Sequence, residues 1–129
     1  MKNRTLNAKG KGEYSYDYSN DIMLFKIKDR DYLNSLDFDD CNLVVDFDTE
    51  GFITGIRIFD ASKVLNLTKV ALNDIKGWDF NASVENNVIK IQLRFVALYR
   101  NKEKAVNYAQ NFVRESSSVL NDSVAVCSV

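Results

Sequence analysis

Residues 89–99 read Ile-Lys-Ile-Gln-Leu-Arg-Phe-Val-Ala-Leu-Tyr, and no other feature of the chain restricts its fold as strongly. Ile89, Ile91, Leu93, Phe95, Ala97 and Tyr99 recur at every second position, against Lys90, Gln92, Arg94, Val96 and Leu98. Successive side chains of a strand point to opposite faces, so a period of two predicts a strand with one dry side. A helix would scatter the same row around its whole circumference. A strand this long needs a sheet to bury that side.

Further strands follow from the same reading. Tyr14, Tyr16 and Tyr18 alternate, Ser19, Asn20 and Asp21 make a polar turn, and Met23, Phe25 and Ile27 alternate with Lys26 and Lys28. The two segments predict a hairpin with one buried face. Asp29 to Asp40 reads as a polar connection. Leu43, Val45 and Phe47 then alternate with Asn42, Val44 and Asp46. The turn Asp48-Thr49-Glu50-Gly51 leads into a return strand, Phe52 to Phe59, where Gly55 predicts a bulge or a close backbone approach. Asp60 or Ser62 can cap one helix around residues 61–76, in which Val64, Leu67, Ala71 and Ile75 keep helical spacing. Thr68 supplies a second cap if that element is broken in two, and Gly77 a terminator. The segment 102–115 fits either a helical face through Ala105, Val106, Ala109, Phe112 and Val113, or a strand reached by a turn at Arg100 to Lys104. The apolar ending, Ser123 to Val129, predicts one edge strand.

These elements define an α+β fold: mainly antiparallel β-sheet built from hairpins or a meander, with one helix packed on it and a C-terminal third that is strand-rich or carries a second helix. At 129 residues one domain is expected, residues 13–129, preceded by a flexible polar tail over residues 1–12. Seventeen basic against eighteen acidic residues leave a formal charge of −1, which gives no global pull toward nucleic acid or an anionic membrane. Cys41 and Cys127 form no CxxC pair, so reduced thiols are the default. The polar, basic start and the lack of a long apolar run predict a cytoplasmic protein without a membrane span.

The run from Tyr14 to Leu65 resembles the family known as domain of unknown function 2283. The resemblance rests on Tyr16 and Asp17, Asp21 and Ile22, then Val45, Asp46 and Asp48. It continues through Gly51, Ile53, Gly55, Ile56 and Ile58 to Asp60, Ala61 and Ser62. It covers about two-fifths of the chain and implies a hairpin, a second hairpin and a helix, together with a cytoplasmic location. The segment from Val88 onward is similar to longer prokaryotic members, in which a further hairpin follows, and this favours strand after Asn101. The resemblance supplies no catalytic residues. Because genes of such small proteins look like neighbours of small toxin-like proteins, it implies an antitoxin-type binding role.

The densest chemical pattern is Asp46 to Arg57. Asp46, Asp48 and Glu50 stand at the first, third and fifth positions of a calcium loop, with Gly51 in the glycine slot. The twelfth position, which should supply a bidentate carboxylate, is Arg57, and both flanks read as strands. A turn-rich hairpin is therefore expected, with a weak Ca²⁺ or Mg²⁺ site on Asp46, Asp48 and Glu50 as the alternative. Asp37, Asp39 and Asp40 would be added donors. The chain has no histidine, so the commonest general base and transition-metal ligand are missing. The five glycines are dispersed and form no phosphate loop. Without a catalytic motif or a cofactor signature, the sequence predicts a non-catalytic binding or assembly module. It would act through its sheet on a protein partner or a second copy as a homodimer, with no nucleic acid, no membrane and no specified small molecule. A carboxylate-dependent hydrolase at the Asp46–Glu50 turn is the enzymatic alternative.

Overall fold

One long strand joins the two halves of the sheet. Its N-terminal half, Leu6 to Lys11, pairs in parallel with Ser123 to Ser128, and its C-terminal half, Gly12 to Asp17, pairs antiparallel with Ile22 to Ile27. The computed structural model describes residues 6–27, 32–38, 41–49, 52–86, 88–113 and 123–128. In chain order the strands are β1 (Leu6–Asp17), β2 (Ile22–Ile27), β3 (Tyr32–Phe38), β4 (Leu43–Asp48) and β5 (Ile53–Phe59). Two short helices follow, α1 (Ala61–Leu65) and α2 (Lys69–Leu72). Then come β6 (Ile75–Glu85), β7 (Val88–Tyr99), β8 (Lys102–Val113) and β9 (Ser123–Ser128). The strands lie in the order β3-β4-β5-β2-β1-β9-β6-β7-β8, and all neighbours but β1 and β9 are antiparallel.

The sheet curls until its ends meet at one corner. Phe38 of β3 and Phe112 of β8, at opposite ends of the strand order, stack with centroids 4.0 Å apart and planes 16° from parallel. Inside the curl sit the predicted rows. Met23, Phe25 and Ile27, then Leu43, Val45 and Phe47, and Ile89, Ile91, Leu93, Phe95 and Ala97 are all buried, while Lys90, Arg94 and Leu98 are exposed. Phe25 links the halves, with its ring 5.0 Å from Tyr14 and 5.1 Å from Trp78. Burial of each such side chain stabilises by roughly 1.5–3 kcal/mol, so the three rows hold the halves together.

Several expectations are corrected. β1 begins at Leu6, inside the segment expected to be a tail, because β9 and β2 supply ladder partners along its length. The connection expected from Asp29 to Asp40 contains β3, which β4 recruits by pairing from Tyr32↔Asp48 to Phe38↔Leu43. The single helix over 61–76 is two helices: Asn66 turns left-handed at φ 55, and the Thr68 side chain accepts the Ala71 N–H at 3.1 Å to start α2. Ile75 opens β6 instead of closing a helix, and Gly77, at φ 56, lies in that strand where its pairing with β7 slips between Lys76 and Asp79. The positive φ rotates the chain so that Trp78 turns inward, which favours glycine there. Of the two forms open for 102–115, strand is observed: Arg100 and Asn101, at φ 52 and 63, make a two-residue turn, and β8 pairs with β7 from Tyr99↔Lys102 to Val88↔Val113. The C-terminal strand β9 is interior to the order, between β1 and β6, and not an edge.

Gly55 meets the close approach read from the sequence. A Cβ built there would stand 2.7 Å from the Phe25 carbonyl oxygen and 2.9 Å from Lys26 Cβ, below any normal contact. Gly55→Ala should therefore push β5 from β2 and cost about 2 kcal/mol, read as a lower urea midpoint at unchanged slope. Stability equal to the parent would show that the two strands are not packed this tightly.

Candidate functional site

Three regions gather polar side chains or open backbone: the acidic turn, the β1–β2 turn against α1, and the outer face and end of the sheet. In the acidic turn Asp46 and Asp48 lie on β4, and both are buried. Asp46 is held by its own protein. Arg57 Nη2 donates to Asp46 Oδ1 at 2.8 Å, and Ser35 Oγ donates to the same oxygen at 2.6 Å. Arg57 Nη2 also reaches Ser35 Oγ at 3.2 Å, and Tyr32 Oη lies 2.8 Å from that hydroxyl. The residue that breaks the calcium-loop pattern thus supplies the positive charge beside Asp46. Asp48 closes the β4–β5 turn: its Oδ1 accepts the Phe52 N–H at 3.0 Å, and its own N–H donates to the Phe52 carbonyl at 2.9 Å. Glu50, Gly51, Asp39 and Asp40 lie outside the described residues. Among the described residues no group of three or more histidine, cysteine, aspartate or glutamate side chains is placed to hold a metal ion.

The second region holds a constellation the sequence reading did not assemble. Asp21 ends the β1–β2 turn at φ 57 and is buried. Its Oδ1 accepts the Tyr16 hydroxyl at 2.6 Å and the Ser62 N–H at 3.0 Å. Its Oδ2 accepts the Ser62 hydroxyl at 2.5 Å, and its backbone carbonyl accepts the Ala61 N–H at 3.0 Å. The first two N–H groups of α1, which have no partner within the helix, are therefore taken by one residue forty positions away. Asp60, expected as the cap, occupies the N-cap position in a left-handed conformation, and its side chain makes no capping bond. Asp21 performs that role instead because β2 pairs with β5, Ile22 opposite Phe59, and so delivers the turn to the start of α1.

The electrostatics of this clamp are those of a structural carboxylate. Burial pushes the Asp21 carboxyl up, but the hydrogen bonds from Ser62 and Tyr16 and the positive charge of Lys69 outweigh it and hold the group below its ordinary value. A carboxylate so stabilised is a weak base, and burial, together with the hydrogen bond to Asp21 and the negative charge of that carboxylate, raises the Tyr16 hydroxyl well above its ordinary value. Neither group is set up to exchange a proton near neutrality. Tyr14, one register step away, donates to the Leu72 carbonyl and fastens the end of α2 to β1. Tyr18 leaves the stripe expected with Tyr14 and Tyr16: β1 has ended, and its half-exposed ring lies 5.6 Å from Lys69 Nζ.

The third region is the outside of β6, β7 and β8. Asp79 and Arg94 pair there at 3.1 Å, and Gln92 Nε2 donates to Asn107 Oδ1 at 3.3 Å. Asn81, Ser83, Lys90, Gln92, Ala109 and Asn111 line a shallow groove of about 380 Å³. At the end of the sheet β8 pairs with β7 alone among the described residues, through twelve consecutive register positions without a slip.

A curled, strand-dominated α+β domain whose hairpin turn clamps a short helix through one aspartate is the class that these features define. The chain belongs to the family described as Protein of unknown function (DUF2283), whose pattern matches residues 13–62. That match ends on Ser62, the residue that closes the clamp. It is 31% identical over 90 residues to a Methanosarcina mazei protein named "Putative hypoxanthine phosphoribosyltransferase", covering 70% of this chain and 72% of that one. It is also 31% identical over 94 residues to an uncharacterized protein of Methanocaldococcus jannaschii, covering 72% of this chain and 79% of the relative. No solved structure matches the chain. Among the described residues, no helix is long and apolar enough to cross a membrane.

Two outcomes follow from these geometries. The Asp21 carboxyl is lowered in the folded state, so its contribution is present above the unfolded value of about 3.9 and is lost as pH falls through the folded value. Asp21→Asn should cost about 2 kcal/mol at neutral pH and flatten the loss of stability below about pH 4, both measured by urea unfolding across pH. An unchanged acid limb would assign it to other carboxyls. At the acidic turn, Asp46→Asn should cost about 1 kcal/mol, equally with and without millimolar Ca²⁺. An ion-dependent rise in the parent's melting temperature, lost in the variant, would make the turn a metal site.

Proposed function

We propose that this is a cytoplasmic, non-catalytic binding or assembly module that acts by pairing the free edge of its sheet with another strand. The observation that carries the reading is β8. It is twelve residues long, bonded to β7 without interruption, and free of another strand partner among the described residues. From Ala105 to Asn111 it holds no proline and no charged side chain, and the β7–β8 register holds no bulge, so these three ways of blunting an edge are missing along its middle. An edge of this kind gives affinity through main-chain hydrogen bonds and selectivity through alternate side chains. A protein strand is thus the occupant it suits best, including the antitoxin-type role of a small partner protein.

The absence of catalysis is part of the proposal and is supported by the carboxylates. Asp21, Asp46 and Asp48 all accept hydrogen bonds from the protein itself. The name of the Methanosarcina relative supplies the competing reading, an enzyme that binds hypoxanthine and a phosphoribosyl group. Addition of hypoxanthine together with a phosphoribosyl donor and Mg²⁺ should leave the melting temperature unchanged, and a rise would favour that reading.

Hydrogen exchange tests the edge directly. Because Tyr99 and Lys102 close a two-residue hairpin, Lys104, Val106, Tyr108 and Gln110 bond to β7, and the amides of Glu103, Ala105, Asn107, Ala109 and Asn111 point away. In dilute protein the first set should be protected and the second should exchange fast. In the assembled state, reached at high concentration or with the partner, the second set should slow as well. An outward set that stays fast in every assembly would contradict the reading.

A further inference from the structure

The residues of β8 repeat in reverse about Asn107. Ala105 is matched by Ala109, Val106 by Tyr108, Lys104 by Gln110, and Glu103 by Asn111, so that small, apolar and polar positions each recur at equal distance from the centre. We propose that the partner of this edge is a second copy of the chain, whose β8 pairs antiparallel with the first about a two-fold axis at Asn107. The proposal rests on the edge-binding reading above and deepens it by naming the occupant and the register.

Three observations support it. A two-fold axis brings the same patch of both copies together, so residues at equal distance from the axis meet, and about Asn107 each such meeting is compatible: alanine with alanine, an apolar side chain with an aromatic one. The register is also allowed by the pleat. Residues directly opposite in a ladder share a face, and centring on Asn107 sets Ala105 against the partner's Ala109 and Val106 against the partner's Tyr108. Odd positions meet odd and even meet even, and the odd ones are those whose N–H and C=O are turned away from β7. Ala105, Asn107, Ala109 and Asn111 are all exposed, and none has a side chain long enough to screen the backbone.

Charge selects the direction of the pair. The charged residues of β8, Lys102, Glu103 and Lys104, all lie at its beginning. In the antiparallel pair they face the partner's Phe112, Asn111 and Gln110, and the lysines of the two copies stay at opposite ends. A parallel pair in register would set Lys104 against Lys104, which is unfavourable. The edge therefore fits a reversed copy, and because β7 holds the other side of β8, one copy fills it.

The test uses the full chain and reads mass by light scattering or sedimentation over a concentration series. The parent should be a dimer. Ala109→Pro deletes an N–H on the free edge and leaves the β7 ladder intact, so it should keep the parent's circular dichroism and raise the dimer dissociation constant about tenfold or more. Ala105→Lys with Ala109→Lys, which sets like charges opposite each other, should do the same. Asn107→Cys, in a background with Cys41→Ser and Cys127→Ser, should form a disulfide-linked dimer under mild oxidation, whereas Leu98→Cys on β7 should not. A parent dimer that survives both edge variants and gives no Asn107 crosslink overturns this interface. If that dimer is instead broken by Leu33→Lys on β3, edge association itself stands and only the choice of strand fails. A parent that is monomeric at every concentration overturns the self-pairing. The exchange of the outward β8 amides with a foreign partner then decides the broader reading separately.

Discussion

The bonds around Asp21 are what the remainder of the N-terminal unit depends on. One buried carboxylate takes a tyrosine hydroxyl from β1 and a backbone N–H and hydroxyl from α1, and its own carbonyl takes a second N–H from the same helix. A helix of five residues cannot hold itself together in water, because nucleating one turn fixes several residues for a single hydrogen bond. Here α1 is held from outside, by a turn that belongs to a different hairpin. The bond between the two hairpins, β2 against β5, is itself tight enough to require glycine at position 55. These contacts engage five residues of the family pattern: Tyr16, Asp21, Gly55, Ala61 and Ser62 all serve the scaffold.

From that scaffold the rest of the sheet is reached through β1, which changes partner half-way from β2 to β9. The two halves thereby share one core, filled from one side by the row from Met23 to Ile27 and from the other by the row from Ile89 to Ala97. Curling brings the end strands together at Phe38 and Phe112. The outward backbone of β8 is left beside exposed, short side chains. The proposed pairing looks to the end of the sheet because Asp21, Asp46 and Asp48 already accept hydrogen bonds from the protein itself.

How much of this was legible depended on range. The alternation of Leu43, Val45 and Phe47 and of the row from Ile89 to Ala97 is a local signal, and both rows are buried as it requires. The strand form of 102–113 was one of two open readings, since Val106 and Phe112 belong both to the helical face and to the alternating row, and β7 decided it by offering a full ladder. β3 has weak alternation of its own and is a strand because β4 pairs with it. Residues 6–12 look like a polar tail until β9, more than a hundred positions later, supplies a neighbour.

The site was less legible than the fold. Asp46, Asp48 and Glu50 stood out by local density, yet Asp46 faces an arginine eleven residues on and Asp48 closes a turn, while Glu50 lies outside the described residues. Asp60 was a reasonable cap by proximity, and the true cap came from Asp21 because strand pairing outranks closeness in sequence. The available hint was that Asp21 and Ser62 belong to the same family pattern, which a purely local reading of caps does not use.

A double-mutant cycle between Asp21→Ala and Ser62→Ala, measured by urea unfolding at neutral pH, tests the clamp most directly. A coupling of at least about 1 kcal/mol is expected, because each single change already removes the bonds that the other would remove. Losses that simply add, with coupling near zero, would mean that the hairpin and the helix are held independently and that Asp21 is not what joins them.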